Sequence, residues 1–172
     1  MNYSMEGAET ERLLFRKLSR DDFDAWLPFH EDPRSSQFWS GLPQNPVAAC
    51  SQQFDRVFER YEKGLGGMFA LVEKTTKELV GLCGLLVQIV DGKEELEIGY
   101  SILPTHWGKG FASEAAQKCK EIAFKKGWSK HLISIIHIEN EPSKKVAIKN
   151  GMHIEKRTIY NDNPVYIFRI DR

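Results

Sequence analysis

The sequence predicts an α/β (α+β) fold: a single mixed, mostly antiparallel sheet flanked by helices, in the order β-α-α-β-β-β-α-β-α-β-β. Three observations predict it. Asp91-Gly92 separates two strand-like runs and is a strong hairpin-turn signal. "NPVAACSQQFDRVFERYEKG" reads as a helix marked at both ends, with Asn45 as cap, Pro46 in the first turn and Gly64 as terminator. The run "ELEIGYSIL" alternates cleanly and leads directly into a glycine-rich turn and another helix.

The elements follow in order. "RLLFRKL" (Arg12 to Leu18) is the first strand, and Ser19 caps the helix that follows, with Asp22 three residues on. The Pro/Ser/Gly-rich loop "HEDPRSSQFWSGLPQ" carries Phe38 and Trp39. In the second helix, Val47, Cys50, Phe54, Val57, Phe58 and Tyr61 recur at helical spacing and form its expected inner face. "MFALVEK", "ELVGLCGLLVQIV" and "ELEIGYSIL" are strands, the last with Leu96, Ile98, Tyr100 and Ile102 on one face and Glu97, Gly99 and Ser101 on the other. A helix from about Ala112 to Lys126 ends at Gly127, and "HLISIIHI" is a strand. A short helix follows, with Pro142 at its start and Asn150-Gly151 at its end, and "MHIEKRTIY" and "PVYIFRI" close the chain as a hairpin.

A chain of 172 residues fits one domain, residues 1–172, and buries roughly 70% of its unfolded surface without needing a disulfide or a metal. Cys50, Cys83 and Cys119 are odd in number, far apart and include no CxxC pair, so a reduced, cytoplasmic setting is expected. The five histidines show no ligand spacing, and no metal is expected. The first residues carry Glu6, Glu9 and Glu11 where a targeting signal would be basic, and the longest apolar run is too short for a membrane span. Lys plus Arg and Asp plus Glu both number 24, which argues against a general nucleic-acid binder. The charge is uneven all the same: Leu103 to Arg157 holds eleven basic and five acidic side chains.

The stretch "LPTHWGKGFASEAAQK" (Leu103 to Lys118) lies in that positive part. A strand, a glycine turn and a helix N-terminus together present unpaired N–H groups and a positive helix end, a geometry that receives phosphate. It is not a P-loop: Gly108-Lys109 is followed by Gly110 in place of Ser or Thr, and Leu103 stands where the first glycine is needed. A dinucleotide fingerprint starting at Gly108 meets Ser113 in place of its last small residue, and the preceding strands form hairpins. Taken alone, the turn reads equally as a phosphate cradle or as a flexible strand–helix connection.

"WGKGFASEA" after "EIGYSILP", with "NEPSKKVAIKNGM" downstream and "ETERLLFRKLSRDDFDAW" upstream, resembles the GNAT N-acetyltransferase superfamily, and most of all its ribosomal-protein N-terminal acetyltransferase branch. The resemblance spans nearly the whole chain in the right order. It implies the GNAT acyl-CoA N-acyltransferase fold, with acetyl-CoA as cofactor and an amine as acceptor, either a protein N-terminus or a small molecule. Direct attack in a ternary complex is the implied reaction, with no nucleic acid or membrane involved and the chain acting as a monomer or homodimer. The pyrophosphate-binding loop would run through Trp107, Gly108, Lys109, Gly110, Phe111 and Ala112 into Ser113. Its first position is Trp107 where the superfamily has Gln or Arg.

Amide formation from a thioester needs a neutral amine, a donor for the developing oxyanion, and a proton or hydrogen bond for the departing thiolate. A peptide α-amine with pKa near 8 is roughly 10% neutral at pH 7, and a lysine near 10.4 far less than 1%, so a base helps both. Glu97, on the strand before the loop, is the candidate base by the resemblance; a surface carboxylate without a role is the alternative. Asn140 and Ser143 fit the N-x-x-S signature, Asn140 toward the pantetheine arm or substrate and Ser143 toward the departing sulfur, with plain helix capping as the alternative. Backbone groups of Ile102 and Leu103 would pair with the pantetheine amides as an added strand does. Lys109, with Lys144 or Lys145, would face the polyanionic cofactor. Phe38 and Trp39 are, by their loop position, the expected substrate-pocket walls, with buried core aromatics as the alternative. Two rival readings remain: a catalytically inactive acyl-CoA-binding module on the same fold, and a phosphate-binding scaffold unrelated to acetyl transfer.

Overall fold

A computed structural model describes all residues from Met1 to Arg172. β1 (Leu13–Arg16) turns Leu13 and Phe15 inward and pairs with β2 (Gly66–Glu73). Between them lie α1 (Phe23–Glu31) and α2 (Pro46–Lys63). Ser19 forms the expected capping box with Asp22 at the 3-10 turn Arg20–Asp22, which leads into α1. Asp22 also takes two hydrogen bonds from Arg16, at 2.7 and 2.8 Å. Asn45 accepts from the Ala48 N–H at 3.0 Å, and α2 ends on Gly64 at φ +66°, as its cap signals require. Val47 departs from the expected inner face: it is 53% exposed, while Ala49 and Cys50 at the same end of α2 are buried.

β3 (Leu79–Val90) and β4 (Lys93–Ile102) form the long hairpin around Asp91-Gly92, both at positive φ, the geometry that matches strand twist. α3 (Phe111–Lys125) carries the chain to β5 (His131–His137), and α4 (Glu141–Lys149) to the closing hairpin of β6 (His153–Tyr160) and β7 (Asn163–Asp171). The strand order is β1-β2-β3-β4-β5-β7-β6, antiparallel everywhere except between β4 and β5. α1 and α2 cover one face through Trp26, Phe54, Leu82 and Leu103. α3 and α4 cover the other, over Phe69, Cys83, Ile98, Cys119 and Phe168. No helix is long and apolar enough to cross a membrane.

Candidate active site

The site begins with a sheet left unfinished. β4 and β5 share one backbone pair, Glu97 with Ile133. Beyond it, side chains replace the ladder: Ser134 Oγ donates to the Ile98 carbonyl at 2.9 Å, and the Ile135 N–H donates to Glu97 Oε2 at 3.3 Å. The Leu103 N–H donates to the Val80 carbonyl on β3 at 2.9 Å. By antiparallel alternation, Tyr100 and Ile102 therefore turn their backbone groups toward the parted side. The strands diverge around a cleft of about 910 Å³, walled by the first turns of α3 and α4 and by the loop between α1 and α2.

The glycine turn forms one wall. Gly108 (φ +76°) and Gly110 (φ +82°) adopt left-handed backbone that side chains resist, and Gly110 caps α3 without any side-chain cap. The first N–H groups of α3 have no partners inside the helix, so they are available to an anion along with the positive helix end. Glu114, in that first turn, would oppose an anion, but Thr10 and Arg12 hold its carboxylate on the far side, Arg12 Nε at 2.9 Å. Ala112 and Ser113 lie on the same wall, while the Phe111 ring is buried beneath the Arg12 guanidinium.

Trp107 has an evident local function. Its indole N–H donates to the Ile102 carbonyl at 2.8 Å, tying the turn to the end of β4, and the Arg34 guanidinium lies 5.0 Å from its ring centroid. Lys109 points to solvent and meets His106 Nδ1 at 3.2 Å, outside the cleft walls. Lys144 pairs with Glu141 at 2.6 Å and rests over Tyr166, and Lys145 is exposed; neither lines the cleft. Leu103 corrects the expected backbone pairing: its N–H is used by Val80, its carbonyl by the His106 N–H, and its side chain is in the core. The free edge belongs to the Tyr100 backbone and the Ile102 N–H instead, the Ile102 carbonyl being taken by Trp107.

Glu97 lies on the cleft floor, half-buried, next to the split that it helps to create. Gln88 Nε2 donates to its Oε1 at 3.0 Å. Enclosure pushes its carboxyl above the ordinary glutamate range, against the pull of Gln88, the Ile135 N–H and the charge of Arg60. On the α4 wall, Asn140 Oδ1 accepts from the Ser143 N–H at 3.2 Å, so it does cap the helix, while both residues also line the cleft. The Ser143 hydroxyl makes no hydrogen bond within the protein, and its carbonyl accepts from the Tyr100 hydroxyl at 2.8 Å. Phe38 stacks on His137 with centroids 4.8 Å apart, and Trp39 packs against Phe29 at 5.3 Å; both line the cleft. Their loop is fastened by Ser40, which donates to the Asn161 carbonyl at 2.6 Å and accepts from Asn163 at 3.2 Å.

Tyr100, Ser134 and Gln88 are the site residues that the sequence did not single out. Alternation placed Tyr100 on the core face, but a tyrosine hydroxyl needs a polar partner, and that requirement was the available signal. The sequence carries no comparable mark for Ser134 or Gln88. No group of three or more His, Cys, Asp or Glu side chains converges anywhere.

Residues 12–153 match the family model described as acetyltransferase (GNAT) domain. The chain is a GNAT acetyltransferase. It is 30% identical over 159 residues to an uncharacterized N-acetyltransferase p20 of Bacillus licheniformis, covering 92% of this chain and 87% of that one. The fold is shared with an acetyltransferase from Agrobacterium tumefaciens (TM-score 0.82, 24% identity, 99% and 96% coverage). It is shared also with a ribosomal-protein-S5-alanine acetyltransferase from Vibrio fischeri (TM-score 0.72, 17% identity, 95% and 94% coverage). GNAT acetyltransferases draw their acetyl group from acetyl-CoA, and the cleft of this one joins left-handed glycines, the N-terminus of α3 and a parted strand edge. Trp107→Phe keeps an aromatic, though smaller, ring and removes the bond to Ile102, worth about 1 kcal/mol net. We expect roughly fivefold weaker acetyl-CoA binding by calorimetry, with the fold intact; unchanged affinity would show that the tie does not shape the turn.

Proposed function

We propose that this acetyltransferase acts on a primary amine, a protein N-terminus or a small-molecule amine, by direct attack in a ternary complex, with Glu97 as general base. One observation carries the reading: a half-buried carboxylate lies on the floor of the cleft whose wall is the amide turn of α3. Bound acetyl-CoA supplies an activated thioester. The protein's own groups supply the rest. Glu97 accepts a proton from the incoming ammonium, directly or through water. The Ser143 hydroxyl, free of other partners, donates toward the departing sulfur, and Asn140 holds the helix turn that presents it. Free N–H groups of Tyr100 and Ile102 pair with an extended, amide-bearing arm as a neighbouring strand would.

Phe38 and Trp39 bound the acceptor side, and the name of the S5-alanine acetyltransferase that shares the fold supports a protein acceptor there. Three free, buried cysteines support a reducing, cytoplasmic setting. We place the enzyme there as a monomer or homodimer that needs neither nucleic acid nor membrane.

Acetyl-CoA at a hundred times its Kd is expected to stabilise the fold by about 2.7 kcal/mol in a thermal-shift assay, with no response to ATP or NAD. Thiol release is then followed with peptides bearing free Ser or Ala N-termini, spermidine and kanamycin. Binding without turnover on every amine would leave the inactive acyl-CoA-binding module standing, and no stabilisation would refute the site itself.

A further inference from the structure

Behind Glu97 lies a polar group that the proposed chemistry does not touch. Gln88 Oε1 accepts from Arg60 Nη2 at 2.9 Å and from the Tyr160 hydroxyl at 2.9 Å. Two donors on one oxygen fix which end of the amide is which, so Gln88 must present its NH2 to Glu97 Oε1, at 3.0 Å. Arg60 is itself pinned, with Nη1 donating to the carbonyls of Val87 at 2.9 Å and Leu65 at 3.3 Å. The four residues come from α2, β3, β4 and β6 and meet only in the folded protein.

We propose that Arg60, Gln88 and Tyr160 form a positioning unit that orients the Glu97 carboxylate and sustains its charge through one shared amide. The proposal rests on Glu97 being the base. The interposed glutamine explains the arrangement. A guanidinium in direct bidentate contact would hold the carboxylate so strongly ionised that it could scarcely take a proton. Enclosure alone pushes the carboxyl upward, and Gln88, the Ile135 N–H and the Arg60 charge pull against it. The Arg60 charge acts one amide away and pulls against the enclosure, so it steadies the carboxylate without clamping it.

The other groups facing Glu97 do not replace this unit. β5 contributes the uncharged Ile135 N–H, and β4 itself contributes Tyr100, whose hydroxyl is committed to Ser143. Glu95, the next residue on the same strand face, is paired with His131 at 2.6 Å. Tyr160 neighbours Asn161, the residue that fastens the acceptor loop through Ser40, so the unit also abuts the acceptor wall.

The test follows the side-chain 13C carboxyl signal of Glu97 in full-length protein labelled at glutamate, assigned by its loss in Glu97→Gln. Gln88→Leu and Arg60→Met are each expected to move the Glu97 titration midpoint up by about one unit, the equivalent of a tenfold change in proton affinity. Tyr160→Phe removes a single hydroxyl, is expected to leave folding intact, and shifts the midpoint less in the same direction. Turnover with the same peptides, spermidine and kanamycin should show kcat on the acidic limb falling about tenfold in Gln88→Leu, with KM for acetyl-CoA unchanged. An unmoved midpoint in all three variants overturns the unit and leaves Glu97 as base. A moved midpoint alongside a full-rate Glu97→Gln enzyme overturns the base, and with it the unit's part in catalysis.

Discussion

Glu97→Gln is expected to lower kcat by roughly two to four orders of magnitude, the range that a positioned proton acceptor contributes. KM for acetyl-CoA should change little, since Glu97 is on the cleft floor and the amide turn is a separate wall. The wild-type rate should fall on acidification as the carboxylate takes up a proton, at a pH above the ordinary glutamate range, because enclosure raises the carboxyl. That limb should be absent from the variant. Stability carries the same signature with a definite sign. A carboxyl raised on folding binds its proton more tightly in the native state, so its contribution is present at acid pH and lost as pH rises past the ordinary value. The melting temperature of Glu97→Gln minus that of the wild type should therefore increase from pH 5 to pH 8, whatever its starting value. Equal kcat and an unchanged pH profile would remove Glu97 from the mechanism.

Gly110→Val is expected to abolish most acetyl-CoA binding while leaving a folded protein. Gly110 sits at φ +82°, where any L side chain is strained by about 1–2 kcal/mol and a β-branched one more. A Cβ there also meets Arg12 Nη2 at 3.4 Å, and Arg12 is held in place by Glu114. The least costly relief is a flip of the turn to negative φ, which re-aims the N–H groups at the start of α3. Each lost hydrogen bond to a charged group costs about 1.5–3 kcal/mol, or roughly 10- to 150-fold in affinity. Calorimetric titration with coenzyme A reads this directly. Affinity within threefold of wild type would show that the amides of this turn do not carry the anion.

The local features of the fold were legible because each has a local cause. Ser19, Asn45, Gly64 and Asp91-Gly92 act on backbone within a few residues, and the alternation from Leu96 to Ile102 places Glu97 opposite the core without reference to the rest of the chain. The site was legible as far as it is sequential. Residues 107, 108 and 110 to 113 form one wall and the Asn140–Ser143 pair another, while Lys109, between Gly108 and Gly110, turns to solvent. What was hidden is what tertiary register brings together. Arg60, Gln88, Glu97 and Tyr160 are scattered along the chain, and nothing near any of them marks it as a partner of the others. Leu103 was misplaced for a related reason. It reads as the next residue of an open edge, but its backbone groups are taken by Val80 and His106 just as the chain leaves the strand. Val47 has the spacing of the apolar stripe of α2, yet Ala49 and Cys50 are the residues that this end of the helix buries.

An unpaired strand edge is ordinarily a hazard, a template on which a second chain can aggregate. Of the outer strands, β6 runs that risk openly and β1 is covered by backbone hydrogen bonds with Gly7, Ala8 and Thr10; the parted edge of β4 is protected in another way. It is recessed behind the first turns of α3 and α4 and the fastened loop of Phe38 and Trp39, so another sheet cannot dock against it. A single slender, peptide-like arm can. On the function proposed above, the recess that guards the protein against its own kind is also a filter, admitting linear, amide-bearing molecules and excluding everything with the breadth of a sheet.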